Sequence, residues 1–129
     1  MIFARILLFI HGIMVVTYGC MLLYNPASLA DYMGLIIANE DGFAELISTY
    51  FGMNATVGIF MLFASFTNRY VSQAIMFLAI TILGVALGRT IGFFMYETGA
   101  YTFNALIYDI PMSLLSWFAC YRLQKNKPS

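Results

Sequence analysis

Four long apolar stretches, parted only by short clusters of charge, turn residues and proline, constrain this chain more than any other feature. They run from about 6 to 24, 43 to 66, 71 to 96 and 103 to 121. A helix needs about 20 apolar residues to cross a bilayer, so each stretch is long enough to span once. Only 9% of the 129 residues are charged and 62% are apolar, whereas a soluble domain carries about 25% charged residues. The expectation is therefore all-α: a polytopic membrane protein forming one domain over residues 1–129, an antiparallel bundle of four transmembrane helices.

The breaks between stretches carry their own chemistry. Asn25-Pro26 ends the first, because proline disfavours helical geometry in the residue before it. The connector from Asn25 to Gly42 has an apolar middle that includes Leu29, Tyr32, Met33 and Ile36, which suits a short helix lying in the membrane interface. Thr67 to Tyr70 reads as a tight turn. Arg5 before an apolar run could suggest a cleaved signal segment, but bulky Tyr18 and the continuing run Met21 to Tyr24 favour a retained helix.

Six Lys+Arg balance six Asp+Glu, so no strongly basic surface is available for nucleic acid. Crossing four times places Arg5, Arg69, Arg122, Lys125 and Lys127 on one side and Asp31, Glu40, Asp41 and Glu97 on the other. By the positive-inside rule both termini are cytoplasmic. Cys20 and Cys120 fall at opposite ends of their helices, too far apart for a mutual disulfide. The residues suggest no metal set and no cofactor motif.

Three ionisable residues remain inside the spans, Glu45, Arg89 and Asp109. At about 1.5 Å per residue all three fall in the outer half of the membrane. A charge at mid-helix costs on the order of 2.5 to 3.5 kcal/mol, so these groups should face the interior and pair. Asp109, Ser113, Ser116 and Cys120 share one helical face, and Glu45, Ser48, Thr49, Gly52 and Thr56 nearly share another. The expected cluster is thus Glu45, Arg89 and Asp109 with Thr49 and Ser113. Two acids against one guanidinium would leave a labile proton or a seat for a ligand; the structural alternative is a polar clamp that orients the helices. His11 and Asn54 reach similar depth and form a secondary polar pair. Gly84, Gly88 and Gly92 form a small-residue ridge suited to close helix packing.

The landmarks His11-Gly12, Tyr24-Asn25-Pro26, Glu45-Leu46 with Thr49-Tyr50 and Gly52, and Gly84 to Gly88-Arg89 then Gly92 carry a resemblance over nearly the whole chain. In them the sequence resembles the domain-of-unknown-function 4345 family, small four-helix bacterial membrane proteins loosely similar to the DoxX-like group. The resemblance implies the fold and a multi-pass place in the bacterial inner membrane, and no biochemical activity. Phe51-Gly52 stands where the family tends to show Gly-Gly, and Ile47 where a basic residue is often found.

Function stays open among four readings. The first is a protein of the lipid bilayer that binds a lipid or other small amphipathic ligand at the buried cluster. The second is a small proton-coupled transporter acting as a homodimer. The third is an accessory or assembly subunit that docks a larger membrane-protein partner. An enzyme ranks last, because no nucleophile and base, metal set or phosphate loop stands at recognisable spacing.

Overall fold

The computed structural model describes residues 1–126, so Lys127, counted above among the cations, lies outside the described residues. The described residues form five helices and no strand. They are α1 (Ile2–Tyr24), α2 (Pro26–Met33), α3 (Glu40–Phe66), α4 (Val71–Met95) and α5 (Ala100–Lys125). The four long ones have 23, 27, 25 and 26 residues and are apolar enough to cross a membrane. Each is at least about 34 Å long against a hydrocarbon core of about 30 Å.

Local chemistry sets the boundaries. Pro26 supplies the first helical position of α2, and the Asn25 side chain accepts a hydrogen bond from the Ser28 amide at 3.2 Å. Gly34 ends α2 in the left-handed conformation, φ 76°, where a side chain would be strained. Asn39 caps α3 by accepting from the Gly42 amide at 3.0 Å, and Glu40 and Asp41 place negative charge in that first turn, where the helix dipole favours it. The short helix expected in the connector is therefore present, confined to its first half.

Two features of α3 escape a simple helical count. Residues Ile47–Met53 form a π-helical segment, so the spacing of side chains changes partway along the rod. The close approach of α1 to α3 is made by Gly12, Gly19 and Gly58. A Cβ on Gly58 would come within 2.6 Å of Cγ2 of both Val15 and Val16, and one on Gly12 within 2.9 Å of the Gly58 carbonyl oxygen. Gly19 faces the Tyr50 carbonyl oxygen at 3.2 Å from such a Cβ, which seats α1 against the π segment. The expected ridge does not serve this purpose. A Cβ on Gly84, Gly88 or Gly92 would meet nothing within 4 Å, because this face of α4 points away from the other helices.

The core divides into two parts. At the end of the molecule where α1 begins and α5 ends, all four long helices converge on Leu8, Met61, Leu78, Ala119 and their neighbours. At the other end, where the connector lies, Leu22, Ala30 and Leu46 join α1, α2 and α3 alone. Large apolar side chains such as Ile59, Phe94 and Leu114 remain exposed along the helices, the surface a lipid-embedded protein presents.

Candidate functional site

Arg89 of α4 and Asp109 of α5 form the only ion pair among the described residues, through one guanidinium nitrogen donating to Oδ2. The two partners differ in access: the Asp109 side chain is 4% exposed and that of Arg89 31%. Burial of the acid follows from its place on the inward face of α5, shared with the buried Ser113, Ser116 and Cys120. Arg89 follows Ala86, the last buried residue of α4, and so reaches from the rim of the core. A guanidinium carries five N–H donors, and Asp109 takes only one here.

Tyrosines surround the open side. The Arg89 guanidinium lies 5.8 Å from the centre of the Tyr101 ring, within range of a cation–π attraction. Tyr101 in turn meets the Tyr32 ring edge-on at 5.2 Å, tying α5 to α2. The Tyr18 hydroxyl faces Tyr101 from α1, in the neighbourhood of Tyr50 and Arg89. That hydroxyl is sealed from solvent against Tyr101, and Thr98 Oγ1 is buried without a hydrogen-bond partner. An unpaired polar atom in a low-dielectric region costs about 1 to 3 kcal/mol, so Thr98 is poised to take a partner.

Glu45 does not join this cluster. It is exposed and forms no ion pair; Leu46 beside it takes the inward position, and Ser48 and Thr49 are exposed as well. Uniform helical spacing would put the polar residues of α3 on one stripe, and the π segment breaks that spacing. Without Glu45 the site is one acid against one base, so the surplus negative charge expected from three groups is absent. Ser113 lies one turn from Asp109 on the buried face, as expected.

The secondary pair is also different. His11 Nδ1 lies 2.6 Å from the Tyr108 hydroxyl, with the two rings nearly parallel at 9°, and this bond joins α1 to α5. Asn54 is half-buried at the end of the π segment and does not bond His11. Neither Tyr108 nor the tyrosine cluster was singled out from the sequence. The available signal was the surplus of tyrosines, nine in all, near the helix ends and beside Asp109. No three His, Cys, Asp or Glu side chains among the described residues come together as a metal set.

Four membrane-length helices, two of them joined by one partly buried ion pair, define a small multi-pass α-helical membrane protein. Residues 3–108 match the family described as Domain of unknown function (DUF4345), and the chain belongs to that family. The match includes Arg89 and stops one residue before Asp109. No curated protein and no solved structure matches the chain.

Proposed function

We propose that this protein is an antiparallel four-helix bundle of the bacterial inner membrane, termini cytoplasmic, that binds the polar head of a small amphipathic or lipidic ligand beside Arg89. The observation that carries the reading is the asymmetry of the pair: a sealed carboxylate holds one edge of a guanidinium whose other donors are reachable, beside the Tyr101 ring. Because Asp109 already neutralises Arg89, the site favours an uncharged head with hydrogen-bonding oxygens over a multiply charged one. The apolar part of the ligand would lie against the exposed aliphatic and aromatic surface of the helices.

Mass spectrometry of organic extracts from the purified protein tests this. A co-purifying amphiphile is expected, lost in the charge-neutral double variant Arg89→Gln with Asp109→Asn. The same extract profile from wild type and double variant would sink the reading.

A second reading, an accessory or assembly subunit, draws on the open face at Gly84, Gly88 and Gly92, where a second copy or a foreign helix could approach closely. Affinity isolation in mild detergent separates the two, since ligand binding needs no stoichiometric partner. The proton-coupled reading has less to work with, as its second carboxylate is not at the site.

A further inference from the structure

The end of the molecule where α1 begins and α5 ends holds a different set of charges. Arg5 begins α1, Arg69 sits in the turn between α3 and α4, and Arg122 and Lys125 close α5. None of the four has an acidic partner within 4.0 Å among the described residues. The acids lie elsewhere: in α2, early α3, the turn after α4, and the sealed position at Asp109. Arg5 Nε is buried there without any hydrogen-bond partner.

Between the start of α1 and the end of α5 at this end runs a groove of about 430 Å³, lined by Met1 to Ala4 on one side and Ala119, Arg122 and Leu123 on the other. Phe3 and Phe118 meet edge to face at 5.9 Å, joining the same two helix ends. Arg122 places its guanidinium 5.9 Å from the centre of the Phe118 ring. The groove therefore joins polar and apolar surface in similar measure, with the Arg122 cation beside the side chains of Ile2, Phe3 and Leu123, a pattern that takes an anionic head and the first methylenes of its chains.

We propose that this groove seats one anionic phospholipid, its phosphate on Arg122 and its glycerol and upper acyl segments along Ile2, Phe3 and Leu123. Charge complementarity selects the occupant. A zwitterionic lipid would bring its own ammonium to a region of uncompensated positive charge, whereas an anionic head neutralises part of it. Free phosphate would leave the apolar lining uncovered. The site is separate from Arg89 and stands independently of the ligand proposed there.

The test is native mass spectrometry and thermal unfolding of the full chain, exchanged from nanodiscs of phosphatidylcholine alone or with phosphatidylglycerol. Retention of one phosphatidylglycerol over phosphatidylcholine is expected, with a higher Tm in its presence. Arg122→Gln, an exposed position that should fold normally, is expected to weaken retention about five-fold. Ile2→Trp, which fills the groove while keeping every charge, should weaken it comparably. Arg69→Gln, at the same end but outside the groove, should leave retention unchanged. Equal losses for Arg69→Gln and Arg122→Gln would overturn the proposal in favour of diffuse attraction to the membrane surface. Equal retention of the two lipids, or displacement of the bound lipid by millimolar inorganic phosphate, would overturn it as well.

Discussion

At one end of this molecule four helices share a core and the positive charges go unpaired; at the other, three helices share a smaller core and the charges inside the membrane are paired. Tyrosines, rather than aliphatic packing, bridge the second end to α5, through Tyr101 against Tyr32 and Tyr18. Dense apolar burial confers stability, and sparse burial leaves room to bind and move. The difference is one of packing within one short bundle: one end joins all four long helices in a shared core, and the connector end leaves Arg89 partly open beside its sealed partner.

The sharpest way to break that comparison is to remove the base of the ion pair. Arg89→Gln leaves Asp109 sealed without its partner and should cost about 3 kcal/mol, read as the loss in stability in thermal unfolding in detergent. Asp109→Asn should cost less, about 1 kcal/mol, because the remaining guanidinium is partly exposed and can reach lipid heads or water. Equal costs would mean that both partners are equally enclosed, and the asymmetry on which the ligand reading rests would be gone.

Glycines give the next contrast. Gly58→Ala drives a methyl into Val15, Val16 and the Gly12 carbonyl and should cost about 1 to 3 kcal/mol. Gly88→Ala, on the open face of α4, should leave the monomer unharmed or gain up to about 1 kcal/mol from helix propensity. A destabilised Gly88→Ala protein, or one that changes oligomeric state by size-exclusion chromatography with light scattering, would show that this face is occupied in the membrane.

Smaller effects refine the picture. Tyr108→Phe removes the hydroxyl that meets His11 and should cost about 1 kcal/mol in the same unfolding measurement. Glu45→Gln should change stability by less than about 0.5 kcal/mol and leave the extracted amphiphile intact, since the residue is exposed and unpaired. A large effect at Glu45 would return it to the site.

Much of the fold was legible without coordinates because each span must satisfy its own backbone. A bilayer offers no water to unpaired amides, so an apolar run of sufficient length has one stable solution. Asn25-Pro26 was readable as a break because proline acts on its own neighbours, whereas α3 begins at Glu40, ahead of the apolar run from about 43, because the Asn39 side chain caps it. That Arg89 would meet an acid was readable for a similar reason, since an isolated charge at that depth is too costly to leave alone, but of the two acids expected only Asp109 reaches it.

Which side chains meet across helices is a different kind of question, and there the sequence by itself stopped. Composition and apolar runs determined four membrane-length helices, a short helix in the connector and three charges expected to cluster, of which only Arg89 and Asp109 meet. Tertiary structure alone decided that Leu46 and not Glu45 turns inward, that Tyr108 and not Asn54 receives His11, and that Gly12 and Gly58 rather than Gly84, Gly88 and Gly92 bring helices together. The physical reason is rotation. A helix's length and polarity are summed along the chain, but the face it presents depends on its azimuth, which a single π segment shifts and which only packing against neighbours can set.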